Sequence, residues 1–353
     1  MKVTIKDIAQ AAGVAKSTVS KVMNDSPKIS AETKARVRDI IKQMNYTPSS
    51  IATGLARQSS NTIAILIDMS KESEFLNQFF YNIIGGVESI IGPLKYELTI
   101  ANIQHDHAEG HFLQRLVLNK RVDGIIANTS VLTPDLCAEL NRLQFPYISI
   151  GEINAPGIWV DCDNELGGFM LTRHLLDQGY PSVAFIGGEK DEPLFLRRAA
   201  GYQRALEEAG MVVQSEWIIH GRAVEEDGYQ AAKQLLQSTN PPSSIVCMSN
   251  FAAYGVLQAA RELNISIPSQ LGIATFDEYP LSPYTTPPLT SLDMDTFQLG
   301  ASAGRLLMDR LDNKAAVISG QLLEPELIPP VIFQAKRQCY CGITNGITNG
   351  IMK

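Results

Sequence analysis

The chain has 353 residues, 45% of them hydrophobic and 19% charged, which excludes a disordered or fibrous protein and predicts two or three globular domains. Its net charge of −7 is unevenly distributed: residues 1–59 carry ten lysines and arginines against four acidic residues, and the rest of the chain carries −13. A basic segment before a larger acidic one is typical of a nucleic-acid-binding head, although chance clustering on a solvated surface would give the same pattern.

The start of the chain and its hydropathy predict a cytoplasmic protein. Lys2, Lys6 and Asp7 stand where a signal peptide would have its apolar core. No segment approaches the roughly 18 apolar residues of a membrane helix, so we expect no membrane partner. The five cysteines include no Cys-x-x-Cys pair, which indicates neither a disulfide framework nor a zinc ribbon. We also expect no cofactor.

Residues 1–48 have the pattern of three short helices. Thr4 followed by Asp7 is typical of a capping box at a helix start. A second helix is predicted over 16–24, after a break at Gly13 that is too short for an ordinary helical hairpin, which indicates a helix-turn-helix. Ser30 is the expected N-cap of a third helix that closes the core.

This segment resembles the DNA-binding head of the lactose/galactose repressor family. The similarity is carried, in order, by residues 4–9, 12–14, 17–24, 30–33 and 45–48. It implies that the second helix enters the major groove of double-stranded operator DNA. The matching positions imply base contacts from Lys16, Ser17 and Lys21, and phosphate contacts from Thr4, Thr18, Ser20 and Asn24.

Two features refine this resemblance. Ala15 stands where the family usually has a serine, which removes a helix cap and a phosphate contact. Residues 49–59 resemble the family's hinge helix, and Leu55 matches the side chain that wedges into the minor groove. A helix this short, with Gly54 inside it, should form only when two copies pair on DNA. The alternative is a linker leucine that packs on its own body.

Residues 60–337 alternate apolar strands with amphipathic helices. Strands are predicted over 63–67, 98–101, 124–127, 147–150, 183–187, 245–248 and 272–276. Helices are predicted over 79–91, 108–119, 166–178, 198–209, 228–237, 251–263 and 297–311. This alternation predicts an α/β body of two lobes, each a doubly wound parallel sheet that binds ligands at the carboxyl ends of its strands.

The body resembles the family's effector domain, which is similar to a periplasmic sugar-binding protein. The resemblance implies an N-lobe over about 60–160 and 291–321 and a C-lobe over about 161–290 and 322–337, together forming the effector-binding and dimerisation domain. The remaining residues, 338–353, form a Gly/Asn-rich repeat without leucine heptads, which predicts a flexible tail and a homodimer rather than a tetramer.

The resemblance also implies an effector site. Arg198 is expected to donate to the effector, Asp277 to accept from paired hydroxyls, and Phe79 and Phe80 to line the cleft. The alternatives are an ordinary ion pair at Arg198, with the neighbouring Arg197 making the ligand contact, a capping role for Asp277, and plain core packing for the two phenylalanines. The family's usual Asn-Asp is replaced by three further effector candidates, Ser249, Asn250 and Phe251.

The resemblance of head and body implies a repressor of a carbohydrate-utilisation operon that a small sugar releases from a pseudo-palindromic operator. Alternatives are a regulator that needs a co-repressor, either a nucleobase or a phosphocarrier protein, and a solute-binding protein. An enzyme acting on sugars is disfavoured because none of the common catalytic motifs occurs. His105, His107 and His111 are close enough in sequence to suggest a metal site, but a solvated surface patch explains them better, so we expect no metal.

Overall fold

The computed structural model describes residues 3–46, 59–68, 78–103, 112–278, 282–312 and 320–329. It comprises a three-helix head and a body that contains two six-stranded sheets. Three sequence predictions lie outside the described residues: the wedge residue Leu55 with most of the hinge segment, the histidines at 105, 107 and 111, and the tail at 338–353.

The head is built around one small apolar core. Its helices are α1 (Ile5–Ala11), α2 (Lys16–Met23) and α3 (Ala31–Gln43). Val19 and Val22 of α2 are buried against Ile8 of α1 and Val37 of α3. Since these side chains recur at helical spacing, the three helices bury one stripe each and leave their polar faces in solvent. The predicted helix-turn-helix head is confirmed.

The body has twelve strands and seven α-helices within the described residues. The strands are β1 (Thr62–Ile67), β2 (Glu97–Asn102), β3 (Gly124–Asn128), β4 (Tyr147–Ile150), β5 (Ile158–Cys162), β6 (Val183–Ile186), β7 (Ile218–Ile219), β8 (Ser244–Cys247), β9 (Gly272–Thr275), β10 (Thr290–Asp293), β11 (Gln321–Leu323) and β12 (Glu326–Ile328). The helices are α4 (Gln78–Ile91), α5 (Pro134–Arg142), α6 (Asn164–Asp177), α7 (Pro193–Glu208), α8 (Glu225–Leu236), α9 (Asn250–Glu262) and α10 (Thr296–Asp312).

Each sheet is a doubly wound lobe. The first has the spatial order β11-β5-β4-β3-β1-β2 and is parallel throughout. The second has the order β12-β10-β9-β8-β6-β7 and is parallel except at β12, which runs antiparallel to β10. The strand order reverses between β1 and β3 in the first lobe and between β6 and β8 in the second, and ligands bind at such reversals. The predicted fold class is confirmed.

Helices cover both faces of each sheet, so the central strands are apolar along their whole length. Residues 63–67 of β1 are all buried, as expected when water reaches neither face of a parallel sheet. One apolar cluster joins α4 and α10 of the first lobe to α6 and α7 of the second. Smaller clusters lie under α5 and under the pair α8 and α9.

Several elements differ from those predicted. The helix expected over 108–119 is instead π-helical at Leu113–Leu118, and residues 104–111 are outside the described part of the chain. Helix α5 and the short strands β5, β7, β10, β11 and β12 were not predicted. The last two pair with different sheets although two residues separate them, so the chain crosses between the lobes there.

Three helix pairs cross so closely that glycines are required at the crossing. A Cβ on Gly201 of α7 would overlap the carbonyl oxygen of Glu165 in α6, and one on Gly168 of α6 would overlap that of Arg198 in α7. The same geometry occurs between α4 and α10 and between α8 and α9. Backbone atoms cannot yield to a new methyl group without moving a whole helix.

We expect Gly201→Ala to lower the free energy of unfolding by about 1–3 kcal/mol, because the added methyl group forces α6 and α7 apart. The matched control is Gly85→Ala in α4, where the nearest atom to the new Cβ would lie at 3.5 Å on the Phe297 ring. This control should be neutral or stabilising, since alanine favours a helix over glycine. Urea unfolding of both variants provides the comparison, and equal losses would contradict the steric argument.

Candidate DNA interface and effector site

The predicted base-contact residues all lie on the exposed face of α2. Lys16, Ser17 and Lys21 are exposed, while Val19 and Val22 on the opposite face are buried. The side chains expected on the base edges are therefore at the surface of the helix that the family resemblance assigns to the major groove.

The predicted phosphate-contact residues also lie at the surface, but two already have internal bonds. The Thr4 hydroxyl donates to Asp7 Oδ2 at 2.8 Å and the Thr4 amide to the same oxygen at 2.9 Å, which is the capping interaction expected from the sequence. These bonds hold the pKa of Asp7 below its usual value. Asn24 Nδ2 donates to the Ser20 carbonyl at 3.0 Å. Thr18 and Ser20 are half-buried.

The amino terminus of α2 has no side-chain cap. Ala15 is in the N-cap position and makes no side-chain hydrogen bond there. In contrast, the Ser30 hydroxyl accepts from the Thr33 amide at the start of α3. The first amides of α2 therefore depend on water or a bound anion for their partners.

An ion cluster that the sequence analysis missed connects the end of α2 to α3. Asp25 adopts a positive φ of 49° just after α2, and its Oδ1 lies 2.9 Å from Lys34 Nζ and 2.6 Å from Arg38 Nη2. The two cations lower the pKa of Asp25. The cluster stabilises the turn between the two helices. Because Lys34 and Arg38 are paired with Asp25, their charges are less available to DNA.

In the first lobe, an apolar cavity of about 200 Å³ lies at the carboxyl ends of β1, β3 and β4. Phe79 and Phe80, at the start of α4, both line it. The polar residues in its wall are Asp68 and Asn128, which follow β1 and end β3. The cavity thus coincides with the strand-order reversal at which such sheets bind ligands.

In the second lobe, Arg198 of α7 is buried at the carboxyl ends of β8 and β9. Its Nε donates to Asn164 Oδ1 at 3.0 Å and its Nη1 donates to the carbonyl oxygen of Met248. The guanidinium carbon stands 3.9 Å above the centroid of the Phe276 ring. The guanidinium plane is therefore fixed, and Nη2 makes no hydrogen bond within the described residues, which leaves donors for a ligand.

Asp277 directly follows Phe276 and has a positive φ of 68°. Burial raises the pKa of its carboxyl group, while the charge of nearby Arg198 opposes that rise. The strained backbone at a non-glycine residue and the costly burial of a carboxylate beside an arginine are both features that concentrate at binding sites.

The three residues that replace the family's usual Asn-Asp have different environments. The Ser249 hydroxyl caps α9 by accepting from the Ala252 amide at 3.2 Å, and it donates to the Ala223 carbonyl at 2.9 Å. Asn250 is buried, and its Oδ1 lacks a hydrogen-bond donor among the described residues. Phe251 is 40% exposed, with its ring edge-on to Tyr254. Ser249 thus has a structural role, whereas the other two offer an acceptor and an aromatic face.

The ordinary ion pair at this point of α7 belongs to Arg197. Its Nε lies 3.1 Å from Glu152 Oε2 and its Nη1 3.1 Å from Asp161 Oδ2. Both acids belong to the first lobe, since Asp161 is in β5 and Glu152 lies in the loop between β4 and β5. The sequence offered Arg197 as an alternative ligand contact and gave no sign of its two acidic partners.

Comparison with known proteins then identifies the chain. Residues 4–49 match the model of bacterial regulatory proteins of the lacI family, and residues 172–329 match that of the periplasmic binding protein-like domain. Catabolite control protein A of Priestia megaterium is 31% identical over 334 residues, which cover 93% of this chain and 98% of that protein. The chain belongs to the lacI family. It is a ligand-responsive transcriptional repressor that binds DNA through its helix-turn-helix head.

Another relative and two solved structures are also similar to this chain over most of its length. The transcriptional repressor PurR of Vibrio vulnificus is 29% identical, with 92% of this chain and 97% of that protein covered. The complex of the regulator CelR with cellobiose superimposes with a TM-score of 0.69 at 25% identity over 93% of this chain and 98% of that one. The lac repressor dimer bound to operator and an anti-inducer shares the fold, with a TM-score of 0.79 at 22% identity and the same coverage.

Membrane-spanning helices and metal-binding clusters are both absent from the described residues. No helix there combines the length and apolar character that crossing a bilayer requires. Across the same ranges, no three or more His, Cys, Asp or Glu side chains are grouped closely enough to hold a metal ion.

We expect Ala15→Ser to tighten operator binding of this lacI-family protein by about 0.5–1 kcal/mol, because the hydroxyl would cap α2 and face the phosphate backbone. The control is Ala31→Ser at the start of α3, which Ser30 already caps. Fluorescence anisotropy with a duplex selected in vitro from random DNA measures both affinities. A gain in the control that equals the gain in Ala15→Ser would contradict the capping explanation.

Proposed function

We propose that the protein represses a carbohydrate-utilisation operon and that a small sugar, bound between the lobes, releases it from a pseudo-palindromic operator. The observation that carries this proposal is the fixed guanidinium of Arg198, stacked on Phe276 beside the carboxylate of Asp277. A planar donor beside an acceptor is what a pair of vicinal hydroxyls on a sugar ring requires.

The apolar cavity of the first lobe supplies the opposite wall of this site. Phe79 and Phe80 would cover the C–H face of the ring, and Asp68 and Asn128, the polar residues of the cavity wall, would face its hydroxyls. The Asn250 acceptor and the exposed Phe251 extend the second lobe's side of the cleft. They favour an effector larger than a single hexose, such as a disaccharide. Ser249 would contribute by orienting α9.

In the same proposal, the operator is bound by a homodimer. Lys16, Ser17 and Lys21 read bases, and Thr4, Thr18, Ser20 and Asn24 bind phosphates. Residues 1–48 form the head, Leu55 of the hinge at 49–59 enters the minor groove, and the body of 60–337 carries dimerisation and the effector. Because chromosomal DNA is the partner, we place the protein in the cytoplasm, associated with the nucleoid.

A nucleobase co-repressor is the second candidate. It is favoured by the same pair of a fixed guanidinium and a carboxylate, which also suits the edge of a planar heterocycle, and by the similarity to PurR. A phosphocarrier protein that docks outside the cleft, and a transport function for the body, have no supporting contact among the described residues.

The effector proposal is tested by a thermal-shift screen of the full chain with mono- and disaccharides, sugar phosphates and nucleobases. A ligand at about 100 times its dissociation constant should add roughly 2.7 kcal/mol of stability. We expect a disaccharide to raise the melting temperature and Asp277→Asn to abolish that shift, with the exposed Asp309→Asn as the control. A shift given by nucleobases only, and lost in Asp277→Asn, would replace the sugar with the second candidate.

The base-contact assignment gives a separate prediction. Lys16→Ala should weaken binding to the selected duplex by about 1–3 kcal/mol and relax the preference at one base position. Lys42→Ala removes the same charge from the exposed end of α3 and should leave base preference unchanged. Repeating the in vitro selection with each variant measures preference directly, and an unaltered consensus for Lys16→Ala would assign that lysine to the backbone.

A further inference from the structure

Arg197 and Arg198 are adjacent on α7, yet they serve different lobes. Arg198 points into its own lobe, where Asn164 and Met248 bind it. Arg197 reaches the first lobe, where its Nη2 also donates to the Glu152 carbonyl at 3.2 Å, in addition to its ion pairs with Glu152 and Asp161. Through these three contacts, the guanidinium group of Arg197 links the second lobe to the first.

Asp161 is the centre of this arrangement. Its Oδ2 accepts from Arg197 and from the Glu152 amide at 3.1 Å, and its Oδ1 accepts from the Cys162 amide at 2.8 Å and from Asn164 Nδ2 at 3.1 Å. Asp161 is 8% exposed, so a carboxylate there requires this many donors.

The hydrogen bonds form one continuous path between the two arginines. Arg197 binds Asp161, Asp161 binds Asn164 through its other oxygen, and Asn164 Oδ1 accepts from Arg198 Nε. The amide of Asn164 is thereby oriented, because Asp161 requires its NH₂ group and Arg198 its oxygen. If the lobes move apart, Asp161 moves away from Arg197. That movement also disturbs the hydrogen bonds through which Asn164 orients Arg198.

We propose that Arg197 is an interlobe positioning residue: its contacts with Glu152 and Asp161 hold the cleft closed and, through Asn164, hold Arg198 in the orientation that receives the effector. The inference rests on the proposed function in one respect, namely that the cleft is the effector site. It assigns to Arg197 the regulation of that site rather than contact with the ligand.

The same helix provides a matched control. Arg204 of α7 pairs with Glu165 of α6, and both helices belong to the second lobe. Arg204→Met therefore removes an arginine–glutamate pair and the same charge from the same helix without affecting an interlobe contact. Arg197→Lys preserves the charge but not the planar fork, so it should retain one of the two ion pairs.

The experiment is hydrogen–deuterium exchange of the full chain with no effector present. We expect Arg197→Met to speed exchange in the loop at 151–157 and in the cavity-lining ends of β1 and β3 by about two- to fivefold, which corresponds to the loss of a partly exposed ion pair. Arg197→Lys should fall between this variant and the unmodified protein, and Arg204→Met should leave these segments unchanged.

A second variant tests the connection to Arg198. Asp161→Asn should speed exchange in the same loop and also in the first turn of α6, where Asn164 loses its oriented partner. Equal exchange in Arg197→Met and Arg204→Met would overturn the assignment, as would an effect of Asp161→Asn confined to the loop. Because the exchange experiment uses no effector, its outcome does not depend on the ligand screen. A failed screen would not contradict the role of Arg197, and a successful screen would not support that role if the exchange rates were unchanged.

Discussion

Close helix crossing is the constraint on which the body of this protein depends. The carbonyl oxygen that abuts Gly168 is that of Arg198, so the glycine contact places the backbone of the cleft arginine directly. Gly201, one turn further along α7, fixes the same helix against Glu165. A side chain at either position would shift Arg198 away from Phe276 and Met248 by the width of a methyl group, and a planar hydrogen-bonding fork does not tolerate such a shift. These glycines thus connect helix packing to the position of the Arg198 side chain.

Much of the architecture was predictable, because long buried strands and amphipathic helices have strong periodicities. The elements that were missed are short or weakly patterned. Helix α5 spans nine residues, and its start had a readable signal in Thr133 and Pro134: the threonine hydroxyl accepts from Leu136 and the proline occupies the first turn. Strands β11 and β12 have three residues each. Their assignment to different sheets depends on tertiary pairing, which no local pattern encodes.

The residues of the candidate site also include some that the sequence could indicate and some that it could not. Those with a family match, Arg198, Asp277, Phe79 and Phe80, lie at the carboxyl ends of the strands. The interlobe contacts of Arg197 were not predictable, since Glu152 and Asp161 lie 45 and 36 residues away and have no pattern of their own. The internal bonds of Ser249 were equally hidden, because a helix cap and a ligand contact require the same hydroxyl at the same place.

The connections between the lobes limit how an effector can act on the head. In the part of the chain that the structure describes, three segments cross between the lobes, and they are bonded to one another: Cys162 Sγ donates to the Met294 carbonyl at 3.0 Å, and the Asp163 amide donates to the Leu323 carbonyl at 2.8 Å. Relative movement of the lobes must therefore bend all three segments together. A rotation about one hinge is the simplest motion that satisfies this condition.

The head is attached at the opposite end of the same sheet that carries the cavity. The amides of Ser60 and Asn61, just before β1, both donate to the Asp123 carboxylate at 2.8 Å, and Asp123 immediately precedes β3. The amino ends of β1 and β3 thus hold the segment that leads from the head, while their carboxyl ends line the cavity. Because these buried strands run from the cavity to this anchor, a rotation of the first lobe as one body would move the cavity and the anchor together. Two such anchors in a dimer would then change their separation, and with it the spacing at which two heads can bind one operator.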